Sequence, residues 1–119
     1  MSIDQFERQR LRSGDTSDTW EIAHATSAAG VTPLVRADLT GDYSCHMRVE
    51  GASPEIARQV MVKNVANTHF ISWLSPAETL ALGKGTWTVI HELRNLTLVP
   101  ELVREIHGVV SIEGGLLPP

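Results

Sequence analysis

Cysteine, aromatic residues and basic charge are all scarce in this sequence. Cys45 is the single cysteine among 119 residues, which excludes an internal disulfide and any cysteine-rich zinc site. Ten Lys and Arg against fourteen Asp and Glu leave a formal charge of −4. Non-specific nucleic-acid binding therefore has no electrostatic footprint. No apolar run approaches the ~18–20 residues of a membrane span, so no membrane partner is expected. The start, Met1 to Arg12, carries Asp4, Glu7, Arg8, Arg10 and Arg12 and lacks the apolar centre of a signal peptide. The expectation is synthesis and folding in a reducing cytosol.

What remains is an ordinary globular composition, with 42% hydrophobic and 20% charged residues. The length suits one domain that folds without a metal or disulfide staple. Residues 1–19 are polar and read as an N-terminal arm, residues 20–112 as the domain, and residues 113–119 as a C-terminal tail. In that tail, paired glycines and prolines interrupt any backbone ladder.

The domain reads mostly as strands. From Tyr43 to Glu50 the side chains alternate: Tyr43, Cys45, Met47 and Val49 fall on one face, Ser44, His46, Arg48 and Glu50 on the other. Thr68 to Leu74, Gly85 to Leu96 and Leu102 to Ile112 follow as further strands. In the third, Trp87, Val89, His91 and Leu93 share a face; in the fourth, Ile106, Val110 and Ile112 are in phase. Trp20 to Ala25 and Leu34 to Leu39 read as earlier, shorter strands. Segment 53–66 fits a helix or a strand; strand is favoured because its neighbours need pairing partners. One helical turn is expected at Ser75-Pro76-Ala77-Glu78, which has a capping serine, proline at the first helical position and glutamate at the third. Gly83 ends it. Short strands with turn signals at this spacing predict a sandwich or barrel.

No residue constellation announces catalysis. His24, His46, His69, His91 and His107 fall in separate runs, without a His-x-x-x-His pair or a His-Glu-x-x-His motif. They are expected as surface or half-buried residues, so no metal ligand is assigned. Cys45 alternates with apolar neighbours and reads as a small core residue rather than a nucleophile. There is no Gly-x-Ser-x-Gly elbow and no phosphate-binding glycine loop. No catalytic or cofactor-binding residue is assigned, and no cofactor is implied. Asn95-Leu96-Thr97 matches a glycosylation acceptor by chance. Trp20, Trp73 and Trp87 are expected in the core. Phe6 lies in the polar arm and either anchors it in a neighbour or packs back on its own domain as part of a loose helix.

An ordered set of segments carries a family resemblance. It runs Arg12-Ser13-Gly14-Asp15-Thr16, Ala37-Asp38-Leu39-Thr40-Gly41, then Trp73-Leu74-Ser75-Pro76-Ala77-Glu78-Thr79-Leu80-Ala81-Leu82. Gly83-Lys84-Gly85-Thr86-Trp87 and a closing strand from Arg104 to Ile112 complete it. This string resembles the Ig-like domain of tailed-bacteriophage baseplate and tail-fibre adaptor proteins, nearest to the N-terminal domain of baseplate upper proteins. Trp87 stands where that family usually has tyrosine, and segment 53–66 has no counterpart. The resemblance implies an all-β fold: an Ig-like antiparallel β-sandwich with one short helical turn and extended terminal arms. It also implies a non-enzymatic structural virion protein, assembled in the host cytoplasm. Such a protein acts as an adaptor in the tail, baseplate or fibre-attachment region, in several copies, with other virion structural proteins as partners. The rival readings are a capsid decoration (cement) protein, a glycan-binding module and, last, a small hydrolase using one His or Cys45.

Overall fold

The chain folds where its alternation is clearest. In the computed structural model, which describes residues 2–24, 36–97 and 101–114, the strands are β1 (Ser2–Gln5), β2 (Gln9–Arg12), β3 (Trp20–Ile22), β4 (Tyr43–Val49), β5 (Ala57–Gln59), β6 (Phe70–Ser72), β7 (Gly85–Asn95) and β8 (Leu102–Glu113), with one helix, α1 (Pro76–Leu82). In β4, Cys45, Met47 and Val49 are buried while His46 and Arg48 face solvent, as the period of two requires.

The larger sheet runs β1-β8-β7-β4-β5, with β2 also on β8; the smaller pairs β3 with β6. β7 and β8 form the longest ladder, from Gly85 opposite Ile112 to Asn95 opposite Leu102. Val89 and Leu93 from β7, Ile106, Val110 and Ile112 from β8, and Cys45, Met47 and Val49 from β4 join Trp20, Ile22 and Phe70 of the smaller sheet in one core. Leu39, Leu74 and Leu82 belong to the same cluster. Fully burying one such side chain contributes roughly 1.5–3 kcal/mol.

The helix is built as its sequence predicts. Ser75 Oγ accepts from the Glu78 amide at 3.2 Å, and Glu78 Oε1 accepts from the Ser75 amide at 2.9 Å. Gly83, at φ 75°, ends the helix in a backbone conformation that favours glycine.

Five expectations change. The arm 1–19 is not outside the sheet: β1 and β2 both pair with β8, and in parallel. The larger sheet is therefore mixed rather than antiparallel, because the first strands run in the same direction as the last. Between them Phe6, Glu7 and Arg8 face only Gly108 and Val109, so the edge bulges there. The strand expected from Leu34 is not seen in its described part, since Ala37–Leu39 are irregular. Their backbone is held instead by single bonds to His24 and Asn67 carbonyls. Segment 53–66 is strand only over Ala57–Gln59. Beyond it the chain leaves β4 and crosses to the smaller sheet, where the Ile71 amide bonds to the Val62 carbonyl and Lys63 bridges to Phe70. The strand expected from Trp20 to Ala25 ends at Ile22, with Ala23 and His24 irregular; Ala25 and tail residues 115–119 lie outside the described residues.

Candidate functional site

The most unusual chemistry lies in the core. β7 carries His91 in phase with Val89 and Leu93, so the fold that buries those apolar residues buries the imidazole too. Its Nε2 shares a 2.8 Å hydrogen bond with the Ser72 hydroxyl of β6, tying the two sheets together. Trp20, opposite Ser72 in the β3–β6 ladder, places its indole 5.3 Å from the His91 ring. Phe6 meets the imidazole edge-on at 6.4 Å and the Trp20 indole at 6.5 Å. Burial, and then the charge of Arg58, pulls the His91 pKa down to about 4. The imidazole is therefore neutral at pH 7.

A serine hydroxyl and a neutral imidazole at this distance have the spacing of a nucleophile and its base. Here they lack the rest of the arrangement. Ser72 and His91 are both buried, and among the described residues His91 Nδ1 has no hydrogen-bond partner and no carboxylate orients the ring. Trp20 Nε1 is likewise buried and unpartnered. It lies against Gly108, where a Cβ would sit 3.0 Å from that nitrogen.

The other histidines are dispersed. His46 is exposed on β4. His107 lies 2.9 Å from Glu105 on the outer face of the larger sheet. His69 closes a turn with Asn64 and Thr68, whose hydroxyl is 2.8 Å from Nδ1. The pKa of His24 is lowered by partial burial and by Arg104. Among the described residues no three His, Cys, Asp or Glu side chains gather in a group able to hold a metal ion. The Cys45 thiol is buried in the core, where desolvation, and then the charge of Glu92, pushes its pKa up to about 12. A thiol in that state is not a nucleophile at neutral pH. Asn95 is buried, and its Oδ1 accepts from the Thr97 amide and hydroxyl at 3.0 and 2.8 Å.

The tryptophans divide. Trp20 is core, while Trp73 and Trp87 are only half-buried; the Trp87 indole donates to the Gly83 carbonyl at 3.2 Å. The burial of His91 and its contact with Phe6 were missed in the sequence. Only the phase of His91 with Val89 and Leu93 signals it.

Two surface features remain. The open face of the larger sheet holds a groove of about 330 Å³, lined among others by His46, Arg48, Ile90, Glu92 and Glu105. At the far edge of the smaller sheet a second groove, about 210 Å³, runs past Val60, Met61, Val62, Ile71 and Trp73. Met61, Val62 and Val65 are exposed beside it. No known protein family, curated protein or solved structure matches the chain.

Proposed function

We propose that this chain is a non-enzymatic structural protein of a tailed-bacteriophage virion, an adaptor in the tail, baseplate or fibre-attachment region built on an Ig-like sandwich. The observation that carries this reading is the fit between the motif string and the joints of the fold. Leu39-Thr40-Gly41 leads into β4, the capped turn from Ser75 to Gly83 joins β6 to β7, Gly85-Thr86-Trp87 opens β7, and Arg104 to Ile112 lies within β8. The strand order supports the finer fold. β8, β7, β4 and β5 follow one another as do the G, F, C and C′ strands of a variable-type sheet, and β3 and β6 stand as B and E of the facing sheet. The exposed Met61, Val62 and Val65 give the edge of the smaller sheet an apolar strip suited to other virion proteins.

Mass spectrometry of particles purified from a culture producing this chain tests the reading. The chain is expected in intact particles and in isolated tails, at one or two rings of subunits per particle. Recovery with tail-less capsids at very high copy number would make it a decoration protein. Absence from particles would overturn the virion role.

A further inference from the structure

β5 ends the larger sheet, and its outer edge is bare. The ladder to β4 closes with the Val60 amide on the Cys45 carbonyl at one end and the Val49 amide on the Ile56 carbonyl at the other. In an antiparallel pair the bonded residues alternate. Arg58 therefore exchanges bonds with Met47, while the main-chain groups of Ala57 and Gln59 point away from β4. Met61 is next in that series. Among the described residues no strand pairs with this edge. No proline stands within 57–61 and the register with β4 holds no bulge, so shortness is the edge's main protection.

A groove runs along each face of β5. The open groove on the outer face is lined by Ala57 and Gln59 together with their β4 register partners, Arg48 and His46. Arg48 is exposed and forms no hydrogen bond or ion pair with a described residue. The nearby Glu92 carboxylate is bonded to Arg94 instead. The second groove lies on the inner face, between Arg58 and Val60 and the rim of the smaller sheet at Ile71 and Trp73. There the Arg58 guanidinium is held by Glu78 and by the Trp73 carbonyl, so its charge is met within the chain. Met61, Val62 and the half-buried Trp73 are left to meet an incoming side chain. Side chains along a strand alternate between faces, so a strand laid beside β5 sends one set into each groove.

We propose that an extended segment of a different protein adds to β5 as a further strand, bonding to the main chain of Ala57 and Gln59. Its inner-face residues are apolar and meet Met61, Val62 and Trp73. Its outer-face residues carry carboxylates, which reach over the small Ala57 to Arg48. Strand addition takes its affinity from the main chain and its specificity from the alternate side chains. A second copy does not fit, because the outer-face residues that another β5 would bring are Ala57 and Gln59, and neither offers a charge to Arg48. This strand addition rests on the assembly role proposed above and gives its partner a chemistry. It is read on isolated protein, whereas the virion role is read on particles, so each can fail alone.

The test titrates the peptide acetyl-Val-Glu-Val-Glu-Val-amide, and its counterpart with lysine in place of glutamate, into heavy-nitrogen-labelled full-length chain and follows the amide resonances. Physiological salt screens the long-range pull of the chain's net charge. The Ala57 and Gln59 amide protons are expected to move downfield and to gain protection from exchange. The glutamate peptide should bind at least about threefold more tightly than the lysine peptide, the scale of one exposed ion pair. Arg48→Glu alters only an exposed side chain and should remove that preference. Gln59→Pro takes away an outward amide at an edge, where proline is tolerated, and should abolish binding while resonances outside 57–61 stay in place. No change over 57–61 at millimolar peptide, equal binding of the two peptides, or a preference that survives Arg48→Glu would overturn the proposal. So would the same amide shifts on raising the chain concentration alone, since the occupant would then be a second copy.

Discussion

His91 couples the core to pH. An imidazole held at a pKa of about 4 in the folded chain and near 6.5 in the unfolded chain binds its proton only on unfolding over that interval. The stability it confers is complete above pH 6.5 and is lost as pH falls toward 4. From pH 7 to pH 5 the loss should be about 2 kcal/mol from this residue. Urea midpoints of wild type and His91→Gln at pH 7 and pH 5 check it: the variant should lack most of that fall, and parallel curves would count against the buried neutral state. His24 shifts in the same direction, so the difference between the two proteins is the quantity to read. Gly108 gives a second prediction. A methyl group there meets Trp20 Nε1 at 3.0 Å, inside the packed core. Gly108→Ala should destabilise by about 1–3 kcal/mol through overpacking, measured by the same urea titration. A neutral result would mean that the indole has room to shift.

For the elements, local signals were strong wherever a residue's partner lies nearby in the chain. The capping box is the clearest case. α1 is short, so the cap is a large share of what holds it, and Ser75→Ala should cost about 1 kcal/mol in thermal or urea denaturation. Glu78 has a second role, as it also pairs with the Arg58 guanidinium, which in turn donates to the Trp73 carbonyl. β4 and β8 were equally legible because each buries one face and alternates, and β7 alternates except at Ile90, which is buried on the opposite face. β1 and β2 were not. Their sequence is polar, and they are strands only because β8 offers an unpaired edge, a fact of tertiary structure that no local pattern records. The irregular path of Ala37–Leu39 escaped for the opposite reason: its apolar residues are buried, but its amides bond to isolated carbonyls rather than to a ladder. The candidate site was legible in part, since the phase of His91 was visible, while Ser72 and Phe6 meet it only across the two sheets.

Taken whole, the molecule seals one thiol, one serine hydroxyl and one imidazole in its core and leaves apolar side chains exposed at an edge. Cys45, Ser72 and His91 are all buried, whereas Met61, Val62 and Val65 lie on the surface at the limit of the smaller sheet. Lys63, within that strip, lies over the Phe70 ring at 5.3 Å. A lysine in an edge strand disfavours pairing with an identical strand, because in the symmetric register the two charges meet. The strip is thus better suited to a different surface than to itself. Because these apolar side chains contribute little to the fold, Val62→Lys with Val65→Asp should change stability by no more than about 0.5 kcal/mol. The same pair of substitutions should reduce recovery of the chain in purified particles several-fold. Urea titration of the isolated protein and quantitative mass spectrometry of particles separate the two effects. Unchanged recovery would remove the strip from the assembly contacts, and a large loss of stability would show that it belongs to the core.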